Sequence, residues 1–109
     1  MVKLVILLRT GARAHAAESY NDFLIKIDAL PNMRRKAVST VYGAAGVPSP
    51  YSTVIEVYFD SRRAMEAALT SPAGIAAGNA LIQFAGPDAI SLFADVLEED
   101  YPVPAEDEG

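Results

Sequence analysis

The chain has 109 residues, just over half of them hydrophobic, and no cysteine. One domain with a real core is expected, while a disulfide framework, thiol chemistry and cysteine metal sites are excluded. The net charge of −5 conceals an uneven distribution: six of the fourteen acids lie in the last twelve residues, and residues 1–97 carry eight acids against nine Lys and Arg. A nearly neutral body with an acidic tail suggests neither a nucleic-acid nor an anionic-membrane partner.

The opening MVKLVILLR reads as a strand over Lys3–Arg9. Its apolar run is too short for a secretory signal and far too short to span a bilayer, and the lack of cysteine fits a cytoplasmic chain. Leu4, Ile6 and Leu8 form one face; Lys3, Val5, Leu7 and Arg9 form the other, apolar in its middle. Two partly apolar faces suggest a central strand covered on both sides. A turn over Thr10–Arg13 leads to a helix over Ala14–Ala29, in which Tyr20, Phe23, Leu24 and Ile27 form one apolar stripe. Pro31 and Asn32 stop that helix.

A second strand is expected over Arg34–Tyr42, followed by a loop with two Gly and two Pro over Gly43–Tyr51. Thr53–Phe59 is the third strand: Ile55, Val57 and Phe59 alternate with Glu56 and Tyr58. Asp60 and Ser61 offer capping oxygens to a helix over Ser61–Leu69. Ser71-Pro72 is a further helix start, opening a piece that runs to about Phe84 and is rich in Ala and Gly. Each Gly there costs about 1 kcal/mol against Ala, and close helix packing is the usual compensation. Gly86-Pro87 ends the piece, and Ile90–Leu97 is the fourth strand. Residues 98–109 form an acidic, Pro-containing tail that is either disordered or laid on another subunit.

The order strand, helix, strand, strand, helix, strand is the split βαβ arrangement: an α+β, ferredoxin-like domain over residues 1–97 with a four-stranded antiparallel sheet. Helices would cover one face only. By alternation the other would carry Val5, Leu7, Val54, Tyr58 and Phe93, with Glu56 and Asp95 among them. Such a surface is too apolar to leave in water. A homodimer in which two sheets close into an eight-stranded barrel is the economical solution.

VIEVYFDSRRAMEAALTSPAG followed by FAGPDAISLFADVLEE resembles the EthD family of dimeric α/β-barrel proteins. The matching residues are Glu56, Tyr58, Phe59-Asp60-Ser61, Ser71-Pro72, and Phe84 with Pro87; MVKLVILLR and Leu30-Pro31 also fit. The resemblance covers most of residues 1–97. It implies a dimeric barrel with a small-molecule lumen, and an activity of oxidoreductase or cofactor-independent tailoring type. One departure stands out. The family's first helix usually carries a His shortly before a Pro, whereas this chain reads NDFLIKIDALP there.

Glu56 and Tyr58 are the first catalytic candidates. A carboxyl buried in an apolar hole holds its proton more tightly, and Tyr58 beside it could orient a ligand, together giving an acid/base pair. The commoner role for such a Glu is a hydrogen bond to an Arg or a backbone group at a sheet edge. Asp95 is expected on the same face, where the two carboxylates either work as a pair or each bridge to Lys3 or Arg9. His15, the only histidine, could act as a base at a barrel mouth, though a solvated His at a helix start is commoner. Val5, Leu7, Tyr42, Val54, Phe93 and Asp95 are the expected ligand-lining residues. With one His and scattered acids, no metal and no cofactor is expected.

Arg34-Arg35-Lys36 with Arg62-Arg63 could form a basic patch, but no strand carries the aromatic run of an RNA-binding sheet, and solvation explains the charges better. GAAG over Gly43–Gly46 lacks the Lys-Ser/Thr ending of a phosphate loop. Two functions fit: a cofactor-independent enzyme acting on a small, mostly apolar substrate, or a non-catalytic binder or accessory protein carrying such a molecule. A pure assembly module with a filled lumen is a third.

Overall fold

The computed structural model describes residues 1–11 and 17–102. In chain order the elements are β1 (Val2–Arg9), α1 (Ala17–Asp28), β2 (Arg35–Thr40), β3 (Tyr51–Phe59), α2 (Arg62–Thr70), α3 (Pro72–Phe84), a 3-10 turn (Gly86–Asp88) and β4 (Ala89–Asp95). The four strands form one sheet in the order β2-β3-β1-β4, and every neighbouring pair is antiparallel. This is the expected ferredoxin-like α+β architecture. The expected first helix and the turn before it begin partly in residues 12–16, and the acidic tail ends in residues 103–109; both stretches lie outside the described residues.

The core lies between the sheet and its helices. Val2, Leu4, Ile6 and Leu8 of β1 and Ile55, Val57 and Phe59 of β3 are all buried. The α1 stripe meets them: Tyr20, Phe23 and Ile27 are buried and Leu24 packs at the margin. Phe84, near the end of α3, ties the helices together, with its ring centroid 5.4 Å from Tyr20 and 6.4 Å from Phe23.

The α2–α3 corner follows from its capping serines. Ser61 Oγ accepts a hydrogen bond from the Ala64 amide at 3.1 Å, and Ser71 Oγ accepts one from Gly74 at 3.1 Å. Such caps are each worth about 1 kcal/mol. Ser71 also ends α2, its backbone N–H donating to the Ala68 carbonyl at 3.3 Å. Chain reversal over so few residues presses α3 onto the end of α2. A Cβ on Gly74 would collide with the carbonyl oxygens of Ala68 and Leu69. That contact is the compensation for a glycine in a helix. Gly78 has none, because a Cβ there would meet open space.

The second and fourth strands differ in extent from their expected spans. β2 ends at Thr40, with one more ladder bond from the Val41 amide to the Ser52 carbonyl. Tyr42 therefore falls in the loop, fully exposed. β4 ends at Asp95, and the Val96 amide still donates to the Met1 carbonyl at 2.9 Å.

Candidate functional site

Ladder register decides which side chains share a face, because residues directly opposite one another point the same way. Tyr58 stands opposite Lys3 on β1 and Arg35 on β2, and Lys3 stands opposite Ala94 on β4. One row across the helix-free face is thus Arg35, Tyr58, Lys3, Ala94. The next row is Ala37, Glu56, Val5, Leu92, and the third is Ser39, Val54, Leu7, Ile90. This face has a charged, aromatic end that runs into an apolar floor. Val5, Leu7 and Val54 are half-buried there, with no helix over them.

The polar end is tightly connected. Lys3 Nζ donates to Glu56 Oε2 at 2.6 Å, and each side chain keeps about a quarter of its surface in water. The hydrogen bond to Glu56 holds the Lys3 ammonium above the ordinary lysine value. The ring of Tyr58 lies between two cations: its centroid is 4.1 Å from the Arg35 guanidinium carbon and 5.6 Å from Lys3 Nζ. Tyr58 is only 7% exposed although no helix covers it. Tyr58, more than any other neighbour, raises Arg35 above its usual value.

The structure brings Glu56 and Tyr58 onto one face, with Lys3 between their chemistries. Glu56 is therefore an ion-paired carboxyl, not a lone acid in an apolar hole. Lys3 is one of the two partners the sequence offers Glu56, whereas Arg35 as the guanidinium on Tyr58 is not among the sequence expectations. The signal that would have found Arg35 is its parity: it has the phase of Ala37 and Ser39 and so faces away from Lys36 and Val38.

Two expected residues require correction. Phe93 stands opposite Leu4, and Asp95 opposite Val2. Both therefore point to the helix side, and the open face takes Ile90, Leu92 and Ala94 instead. β4 carries apolar residues at both parities, so alternation alone cannot orient it. Asp95 bridges neither Lys3 nor Arg9. It meets Arg62 at the start of α2 in a two-point contact, Nε to Oδ1 at 3.1 Å and Nη2 to Oδ2 at 2.5 Å. Tyr42 is a third correction: it stands beyond the end of β2 farthest from Arg35 and is not drawn into the cluster. His15 lies outside the described residues.

Phe93 and Asp95 instead help line a groove of about 580 Å³ between α2 and β4, with Val2, Met65 and Leu69 as its apolar lining. This concavity and the Lys3–Glu56–Tyr58 cluster are on opposite sides of the sheet. The polar lining of the groove is Asp95 paired with Arg62, together with Glu66 and Thr70. Among the described residues no group of three or more His, Cys, Asp or Glu is arranged to hold a metal ion, and no helix is long and apolar enough to cross a membrane.

No protein-family model and no curated protein matches the sequence. Solved structures do match. An ethyl tert-butyl ether D (EthD) family protein from Bacillus halodurans superposes with a TM-score of 0.81 at 22% identity, covering 89% of this chain and 99% of its own. A dimeric ferredoxin-like protein of unknown function from Jannaschia gives 0.69 at 14% identity, over 87% of this chain and 98% of its own. SnoaB, a cofactor-independent oxygenase from Streptomyces nogalater, gives 0.62 at 14% identity, over 94% and 96%. Likeness at these identities concerns the backbone, and on that footing the chain has the ferredoxin-like α+β fold of an EthD family protein and of proteins described as dimeric.

Proposed function

We propose that the chain works as a homodimer that encloses a small, mostly apolar organic molecule between two helix-free sheet faces. The observation that carries this reading is the face itself: an apolar floor of Val5, Leu7, Val54, Ile90 and Leu92 that ends in the Lys3–Glu56–Tyr58–Arg35 cluster. Val5, Leu7, Val54 and Ile90 are half-exposed on this face and Leu92 is 48% exposed, and a contiguous apolar surface of this kind marks an interaction site. Covering it with a second copy buries that surface and leaves a chamber of the kind small molecules occupy. Similarity in fold to proteins described as dimeric supports the same reading.

Within that chamber Glu56 and Tyr58 are the groups able to hold or orient a proton, and Val5, Leu7 and Val54 the residues able to grip an apolar body. Catalysis of a cofactor-independent kind is a second reading, favoured by one observation: an ammonium that holds a carboxyl and lies near a buried tyrosine ring, beside an apolar floor, in a fold shared with a cofactor-independent oxygenase. The alternative role as a carrier or accessory protein needs the same chamber without turnover.

A structure of the purified protein in solution form, with native mass spectrometry on the same sample, tests the proposal. A dimer mass and a closed chamber between the sheets are expected. A single-chain mass at micromolar concentration, or a dimer formed through another surface, overturns it. Turnover that survives Glu56→Gln and Tyr58→Phe unchanged removes the catalytic assignment while leaving the chamber.

A further inference from the structure

We propose that the molecule held in this chamber is an organic anion, a carboxylate or comparable oxygen acid on an apolar frame, and that Arg35 is the residue that selects it. The inference rests on the dimeric chamber proposed above and adds the charge of the occupant.

The basic run Arg34-Arg35-Lys36 divides by strand parity. Arg34 pairs with Asp60 at 3.3 Å, and Lys36 pairs with Asp28. Arg35 points the other way, over the Tyr58 ring. Among the described residues no carboxylate forms an ion pair with it. Lys3 and Glu56 satisfy each other, so the polar end of the face carries one positive charge in excess, on a chain whose overall charge is −5. A second copy lidding the face would take that guanidinium out of water. A buried cation without a counter-charge is strongly unfavourable, and two copies would bring two of them. An anionic occupant removes the penalty.

The geometry suits a carboxylate. A guanidinium held against an aromatic ring has lost much of its freedom, and its N–H edges form the planar fork that binds a carboxylate at two points. Ala37, Val5 and Leu92, in the neighbouring row, provide an apolar bed for the rest of the molecule. Glu98, in the segment after β4, is the one other acid that bears electrostatically on Arg35 besides Glu56, and it forms no ion pair with it among the described residues.

The test is titration of the full chain with three probes of one shape: 2-naphthoate, 2-naphthamide and 2-naphthylmethylammonium. Naphthoate is expected to bind about tenfold more tightly than the amide, the worth of one charge-assisted pair, and the ammonium more weakly than either. Arg35→Gln should bring naphthoate and amide to parity with amide binding unchanged. Arg35→Lys should keep part of the preference, and native mass spectrometry of both variants should still show the dimer. Equal binding of acid and amide, or a preference that survives Arg35→Gln, overturns the anion assignment and leaves the chamber standing. A naphthoate preference that emerges only in Glu98→Gln assigns the guanidinium to the tail and also overturns it. If none of the three probes binds, the chamber reading itself fails.

Discussion

Lys3 and Glu56 meet on a diagonal of the β1–β3 ladder, at 2.6 Å, although each stands directly opposite an uncharged residue, Tyr58 and Val5 respectively. Long side chains make such diagonal contacts within reach. Because each partner is only partly shielded, the coupling in a Lys3→Met, Glu56→Gln double-mutant cycle is expected at about 1 kcal/mol or below. The pairing raises the Lys3 folded-state pKa. Its contribution is therefore complete below the unfolded lysine value of about 10.4 and is lost as pH rises through the higher folded value. Chemical denaturation of wild type and Lys3→Met at pH 7 and in the alkaline range above that value should show the gap closing at the upper end. A gap that is constant across the range removes the pairing from the stability account.

Asp95 and Arg62 make the opposite case. A cation in the first turn of a helix opposes the helix dipole, and Asp95 offsets it across the α2–β4 groove. The hydrogen bonds from Arg62 lower the Asp95 carboxyl below its ordinary value, against a smaller desolvation effect. A depressed carboxyl contributes above its unfolded value of about 3.9 and stops contributing as pH falls through the lower folded one. Wild type should thus exceed Asp95→Asn slightly in stability at pH 6, and the difference should fade toward pH 2.5. Both groups are open to water, so raising the salt concentration should shrink the pH 6 difference as well. Indifference to both pH and salt would mean the pair contributes nothing.

Periodicity made most of the architecture readable. The alternation of Ile55, Val57 and Phe59 against Glu56 and Tyr58 oriented β3 correctly, because its two faces differ in polarity. The stripe of Tyr20, Phe23 and Ile27 did the same for α1, and Ser71-Pro72 marked the α3 start to the residue. β4 defeated the same reasoning. Leu92 and Ala94 on one side and Phe93 on the other give no contrast, and only the register against Leu4 and Val2 settles which way Phe93 and Asp95 point. The place of Arg35 over Tyr58 was invisible because a run of three basic residues reads as surface until strand parity separates its members. The groove between α2 and β4 could not be foreseen either, since it depends on how far a helix sits from an edge strand.

Gly74 and Gly78 look alike in sequence, four residues apart on α3, yet should respond oppositely to the same substitution. Gly78→Ala adds a methyl into open space and removes the entropic cost of glycine, so a gain of up to about 1 kcal/mol is expected. Gly74→Ala drives a Cβ into the carbonyl oxygens of Ala68 and Leu69, which are backbone and cannot swing aside. A loss of roughly 1–3 kcal/mol is expected, in the range of overpacking. Urea denaturation of the two variants checks this directly. Equal shifts of the same sign would show that the α2–α3 corner is looser than described.

Thr53 carries the one completely buried polar side chain of β3, 0% exposed, on the core face between Thr40 of β2 and Leu8 of β1. Its hydroxyl has no hydrogen-bond partner among the described residues. A hydroxyl that is desolvated and unpaired costs free energy that a methyl of similar size does not. Thr53→Val keeps the branched shape and suits a strand at least as well. It should therefore stabilise the protein by about 1 kcal/mol. In a domain of this size that is a rise in Tm of roughly 4 °C. Thr53→Ser separates the two contributions: it keeps the hydroxyl, removes the buried methyl and should destabilise by about 1 kcal/mol. If Val lowers Tm while Ser leaves it unchanged, the hydroxyl is engaged in the folded protein and the methyl is dispensable, which would reverse the account of this core position.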